Sequence, residues 1–219
     1  MEWDPLLLSF KIAASSTLAA TIIGVAIATL LTKRFPGRDI IDVLLTTPMV
    51  LPPTVLGYYV LVVLGRRSAI GQAYEEWTGS SIVFTQTGAV IAASIGALPL
   101  IVKAARAALE GVDPTLLRAA QTLGASKARA YFTVALPLAA PGVLAGVMLG
   151  FARALGDFGV TLMVAGDIPG ETQTASLAIY DAIQANRQAD AAGMIAVLSA
   201  FAIVTLYVVN KLTRKPHED

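Results

Sequence analysis

The sequence predicts an all-α integral membrane protein with five transmembrane helices, and three observations carry that prediction. The 219 residues are 56% hydrophobic and only 14% charged, with a mean hydropathy of +0.70, whereas a soluble domain carries about 25% charged residues. Five stretches, at about 6–32, 39–64, 82–108, 137–164 and 191–212, are long enough to cross a bilayer, which takes about 20 mostly apolar residues. None of them alternates in the manner of a barrel strand, so each has to be a helix, because lipid offers no partner to an unpaired backbone group.

The first stretch follows the acidic segment Met1-Glu2-Trp3-Asp4-Pro5. A secretory signal would begin with a basic region and end in a small-residue cleavage site, so this stretch is expected to remain as a span. It carries Ser16, Ala20, Gly24 and Ala28 at steps of four, a row that lets helix backbones approach closely. The second stretch is interrupted by Pro48, Pro52 and Pro53, each of which removes a backbone donor. Two readings are open: a plain kink, or a break at which Thr46, Thr47, Thr54 and freed carbonyls line a pathway, since irregular backbone at membrane depth is tolerated where it lines a cavity. The fourth stretch carries a second small-residue row, Gly142, Gly146, Gly150 and Ala154. For both rows internal packing is the expectation.

Lys and Arg in the connections set the orientation. One side holds eleven: Lys33, Arg34, Arg38, Lys103, Arg106, Arg118, Lys127, Arg129, Lys211, Arg214 and Lys215. The other holds Arg66, Arg67 and Arg187. The richer side is therefore cytoplasmic, with the N-terminus outside and the C-terminus inside, and Trp3, Tyr74 and Trp77 at the outer interface. The connection 109–136 falls in the cytoplasm. Within it Asp113-Pro114 suits a helix start. Leu116, Leu117, Ala120, Leu123 and Gly124 form an apolar stripe at helical spacing, and Gly124 allows a second short helix near 126–133 to turn away. Such a helix suits a groove in a partner protein; the alternative is a helix lying on lipid.

The composition also excludes. With no cysteine there is no disulfide, thiolate metal site or Cys nucleophile. The single histidine, His217, lies in the polar tail, which argues against a buried haem, a His-ligated metal or an intramembrane Ser-His pair. A net charge of +1 gives no case for nucleic acid. No glycine precedes a lysine, so the chain has no P-loop and no nucleotide site of its own.

Ala119-Ala120, Gly124, nine residues, then Val134-x-Leu136-Pro137 resembles the E-A-A-x-x-x-G-x9-I-x-L-P loop of permease subunits of bacterial ABC importers. The resemblance implies an importer type I fold and a cytoplasmic coupling element formed by Arg118, Ala119, Ala120, Leu123, Gly124, Leu136 and Pro137. Arg118 stands where the family has Glu, which puts an ion pair there in question but not docking by shape. Thr47-Pro48-Met49-Val50-Leu51-Pro52-Pro53-Thr54-Val55-Leu56-Gly57-Tyr58 followed by Leu64-Gly65-Arg66-Arg67, Ala108-Leu109-Glu110-Gly111-Val112-Asp113, Phe151-Ala152-Arg153-Ala154-Leu155-Gly156-Asp157-Phe158-Gly159 and Ile168-Pro169-Gly170-Glu171-Thr172 are similar to segments of molybdate permeases, in order along nearly the whole chain.

That resemblance implies a homodimer in the cytoplasmic membrane, two ATP-binding cassette subunits that carry the ATP and Mg, and a periplasmic or lipid-anchored oxyanion-binding protein. No cofactor is expected on this chain, whose remaining partner is membrane lipid. The whole of 1–219 is expected to be one permease domain, without catalytic or metal-ligating residues. Candidate pathway residues are Thr46, Thr47, Pro52, Pro53, Thr54, Arg153 and Asp157. The last two sit at i and i+4 near the expected outer end of span four. They form either a structural ion pair or a positive site for a dianion tempered by a carboxylate. The polar segment 165–190, with Arg66 and Arg67, is either a solvated cap anchored at headgroups or a docking face for the binding protein. A sulfate or thiosulfate permease is the nearest alternative. An ion-coupled secondary transporter would want a buried carboxylate near the midplane, and none is expected in the spans.

Overall fold

The computed structural model describes residues 3–213; Arg214, Lys215 and His217 lie outside the described residues. Among those described, every regular element is helical. They are α1 (Asp4–Leu31), α2 (Arg38–Val50), α3 (Pro53–Leu64), α4 (Ala69–Thr78), α5 (Gln86–Glu110), α6 (Pro114–Thr122), α7 (Lys127–Ala130), a π-helical turn (Tyr131–Ala135), α8 (Leu136–Leu155), α9 (Gly159–Ala165), α10 (Ala175–Gln184) and α11 (Gln188–Thr213). Four helical runs are long and apolar enough to cross a membrane: α1, α5, Lys127–Leu155 and α11. The fifth expected span is the pair α2 and α3, which meet at 116°.

The centre of the bundle is α5, packed between α1 and α8, and the small-residue rows explain how. Ser16, Ala20, Gly24 and Ala28 of α1 are all buried. A Cβ built on Gly24 would lie 3.1 Å from Ile101 Cγ2. On the other side, a Cβ on Gly142 would lie 2.7 Å from Ala108 Cβ, one on Gly146 2.5 Å from Ala104 Cβ, and one on Gly150 2.7 Å from Ile101 Cγ1. Three successive turns of α8 thus rest directly on α5, and both rows are internal packing faces. In a membrane, where lipid is as apolar as the interior, this close fit is what holds helices together.

The second span differs from a straight helix for a reason visible in its prolines. An α-helical ladder would send the carbonyls of Pro48 and Met49 to the nitrogens of residues 52 and 53, and both are prolines without N–H. The chain breaks after the Leu51 N–H to Thr47 carbonyl bond of 3.1 Å and restarts with Val55 and Leu56 N–H on the Pro52 carbonyl. The two halves are then held differently. α3 lies tightly on α9, where a Cβ on Gly57 would come 2.6 Å from Met163 Cβ. α2 has no buried residue and is tied to α5 by charge: Lys103 Nζ reaches Asp42 at 2.8 Å, Arg106 Nη1 reaches Asp42 at 3.2 Å, and Arg38 reaches Glu110 at 3.0 Å.

Span four, expected as 137–164, is also in two pieces. Its helix ends at Leu155 and a short α9 resumes at Gly159. The π-helical turn before it has the same origin as the break in span two: Pro137 cannot donate to the Thr133 carbonyl, and the helix widens there.

Candidate translocation and coupling sites

The two broken spans meet. A Cβ on Gly159, the first residue of α9, would lie 2.7 Å from Pro53 Cβ, the first residue of α3. Between the breaks is a cavity of about 270 Å3, lined by Pro48, Met49, Leu51, Pro53, Leu56, Gly96, Leu100, Arg153 and Val160. The Arg153 guanidinium lies against Gly96, 3.5 Å from where a Cβ would be. Gly96 is ten residues into α5, about 15 Å along it at 1.5 Å per residue. Arg153 therefore sits near the middle of the bundle and not, as expected, near the outer end of span four. The difference arises because α8 ends at Leu155 and α9 supplies the remainder of the span.

Asp157 is 3% exposed, and three donors account for its carboxylate. Arg153 Nη1 donates to Oδ1 at 2.8 Å, while the Thr161 backbone N–H and Thr161 Oγ1 donate to Oδ2 at 2.9 and 2.6 Å. It thus closes the open first turn of α9. The expectation of no buried carboxylate near the midplane does not hold: Asp157 is one, paired with a cation and fixed by a helix start. Its partner is unlike it, for the Arg153 side chain is 36% exposed and its remaining donors face the cavity. Thr161, Gly96 and Gly159 are residues of this site that sequence reasoning missed. The i, i+4 spacing of Asp157 and Thr161 was the available signal for the first.

Of the remaining candidates, Pro52, Pro53 and Thr54 are exposed at the elbow. The hydroxyls of Thr46 and Thr47 donate back to the carbonyls of Asp42 and Val43, at 2.7 and 2.8 Å, so they are occupied within α2. Val50 beside the break is 85% exposed and Met49 53%. Opened backbone cannot face hydrocarbon, so this surface belongs against water or protein.

The second site lies at the end of the bundle that carries Arg38, Lys103, Arg106 and Lys127. Asp113 caps α6, accepting the Thr115 N–H at 2.8 Å, and Pro114 follows at the first position. The helix ends in a left-handed glycine, Gly124, at φ +91°. Its N–H donates to the Gln121 carbonyl at 3.0 Å and the Ala125 N–H to the Ala120 carbonyl at 3.0 Å, a Schellman ending that a residue with a Cβ adopts at a cost. Ser126 then caps α7.

The expected apolar stripe divides in two. Leu117 and Ala120 face the protein, half-buried, whereas Leu116 is 47% exposed, Leu123 89%, and Ala119 and Gly124 are exposed. Arg118 is exposed and its Nε donates to the Pro114 carbonyl at 3.4 Å. Leu136 is half-buried and Pro137 exposed at the start of α8. The element is tied to the bundle by Leu117 and Tyr131, which pack against the cluster that includes Leu109 and Val112, and by the Tyr131 and Thr29 hydroxyls, 2.7 Å apart. The loop thus presents an exposed apolar tip, Leu116 and Leu123, at this end of the bundle.

The chain belongs to the family described as binding-protein-dependent transport system inner membrane component, which matches residues 20–215. It is 42% identical over 219 residues to the molybdenum transport system permease protein ModB of Escherichia coli, covering 99% of this chain and 96% of that one. It is 47% identical over 185 residues to the ModB of Haemophilus influenzae, covering 84% and 81%. The sulfate transport system permease protein CysT of Escherichia coli is 31% identical over 212 residues, covering 93% of this chain and 75% of that one. In fold it matches an inward-facing structure of the MetNI methionine ABC transporter, with a TM-score of 0.69 at 15% identity over 96% of this chain and 95% of the other.

Proposed function

We propose that this chain is the permease subunit of an ATP-driven importer that carries molybdate, with tungstate as a co-substrate, into the cytoplasm. The observation that carries the substrate is similarity along the whole chain: 42% identity to a molybdenum permease over 99% of the sequence, against 31% to a sulfate permease. The reading places the N-terminus outside and the C-terminus in the cytoplasm, as the Lys and Arg distribution favours.

Two copies of the chain would enclose the pathway, each presenting an elbow and an Arg153. A guanidinium in a low-dielectric cavity lowers the barrier for a dianion. Asp157, holding that guanidinium from behind, keeps the attraction from becoming a trap, since conduction needs binding weak enough to release. α6 and Gly124 dock into a separate ATPase, and two such subunits hold the ATP and Mg; this chain performs no hydrolysis. Closure of the ATPases on ATP draws the two loops together, and the motion reaches the bundle through α7, the π-helical turn and the Thr29–Tyr131 contact. A soluble oxyanion-binding protein delivers the ion from outside.

The test is uptake of labelled molybdate by vesicles holding this chain, its ATPase and its binding protein, in competition with tungstate and sulfate. Molybdate uptake displaced by tungstate and not by equimolar sulfate supports the reading; displacement by sulfate alone returns the chain to the sulfate class.

A further inference from the structure

A second cavity, of about 710 Å3, lies at the opposite end of α3 from the elbow, between the end of that helix and the segment leading into α5. That volume falls within the roughly 300–1,000 Å3 typical of small-ligand sites. Its wall is apolar, formed by Leu61, Val62, Val83 and Phe84, and its rim carries Arg66 and Arg67. We propose that this cleft binds one anionic phospholipid, with an acyl chain along the apolar wall and the phosphodiester on the two arginines.

The position suits that ligand. Both flanking helices end here, at Leu64 and at Gln86, so the cleft opens where hydrocarbon gives way to headgroups. The arginines are little engaged within the protein: Arg66 is 67% exposed with Glu75 no nearer than 3.8 Å, and Arg67 is exposed and makes no ion pair among the described residues. Both arginines line the cleft, and guanidinium groups offer the planar donors that phosphate oxygens accept in pairs.

Two further observations belong to the same cleft. Ser81 is 8% exposed, and its hydroxyl has no hydrogen-bond partner. Phe84 has φ +60°, an unfavourable backbone for an aromatic residue. It is held there by its N–H on the Val164 carbonyl at 2.9 Å, with its side chain lining the cleft and the residue 54% exposed. Strain of this kind persists where the surroundings impose it, and it gathers at ligand sites. A free oxyanion would use the arginines but not the apolar wall; a lipid uses both. The inference depends on the proposed orientation only for the leaflet, which that orientation makes the outer one.

The test is native mass spectrometry of the full-length chain in mild detergent, with phosphatidylglycerol, phosphatidylcholine or inorganic phosphate added. The wild type should retain one phosphatidylglycerol in preference to phosphatidylcholine. Arg66→Gln with Arg67→Gln should weaken that retention about tenfold or more, since each removes charge-assisted bonds. Val62→Trp, which fills the cleft from an exposed position, should weaken it with the arginines intact. Equal retention of the two lipids would overturn the proposal, as would unchanged retention in both variants or displacement of the lipid by millimolar phosphate. Cysteines at Val62 and Arg67 add a further check: efficient cross-linking to a second copy would show that protein fills the cleft and would also overturn it.

Discussion

Removing Arg153 should cost more stability than removing Asp157, and removing both should cost less than removing Arg153 alone. The asymmetry follows from exposure. Arg153→Ala leaves a carboxylate whose side chain is 2% exposed, supported only by the two bonds from Thr161. Stripping one partner from a buried pair typically costs about 3–5 kcal/mol. Asp157→Ala leaves a guanidinium that is 36% exposed and within reach of water through the cavity. Its main loss is the bonding of Thr161, about 1–3 kcal/mol for buried donors left without partners. The double variant carries that second loss but no buried lone charge, so it should recover about 2 kcal/mol relative to Arg153→Ala. The assay is thermal and denaturant unfolding of the four purified proteins in one detergent, read as a double-mutant cycle. Uptake is measured in parallel and should stay low in every variant that lacks Arg153. A coupling below about 0.5 kcal/mol, the additivity limit for independent sites, would refute the reasoning about the pair. A double variant that regains both stability and transport would remove Arg153 from the pathway.

Three other outcomes follow from the geometry. Gly146→Ala places a Cβ 2.5 Å from Ala104 Cβ; it should lower stability by about 1–3 kcal/mol, and adding Ala104→Gly should restore most of that in the same unfolding assay. In the 166–174 loop the Asp167 carboxyl is held above its ordinary value, first by burial and then by the nearby Asp181, with Gln173 opposing. A raised folded value gives stability that is present below about 3.8 and lost as pH rises through the folded value, so the advantage of Asp167→Asn over wild type in melting temperature should be small in acid and grow toward neutral pH. In a chain without native cysteine, cysteine at Ala73 or Ala185 should react with an impermeant thiol reagent in intact cells and cysteine at Ala125 only after permeabilisation; the reverse pattern would invert the orientation.

What could be read from the sequence was whatever local chemistry decides. Asp113-Pro114 and Gly124 mark the ends of α6 because a cap, a first-turn proline and a left-handed glycine act within a few residues. The rows through Gly24 and Gly146 announce close packing because a missing side chain means the same in any bundle. The breaks were harder. Pro48, Pro52 and Pro53 predict an interruption but not its 116° angle, which depends on α3 lying on α9. The break after Leu155 has no proline at all, and it depends on Asp157 capping a new helix with help from a cation four residues back. The depth of Arg153 and the cavity it faces were illegible for the same reason: both are set by two breaks that meet only in three dimensions.

In the proposed function the exposed loop of α6 and Gly124 couples a separate ATPase to movement of an oxyanion. Among the described residues nothing lies within 4 Å of a Cβ built on Gly124, so a larger residue does not disturb their packing within the subunit. It meets the φ of +91°, which any residue with a Cβ resists, and it meets whatever docks against the loop. Gly124→Trp should therefore insert and assemble normally while losing its partner. The decisive measurement is ATP-driven molybdate uptake together with co-purification of the ATPase from the same membranes. Both should fall about tenfold or more, in line with the roughly 1–3 kcal/mol cost of overpacking a close contact; full uptake with full ATPase retention would mean that this loop is not the coupling element.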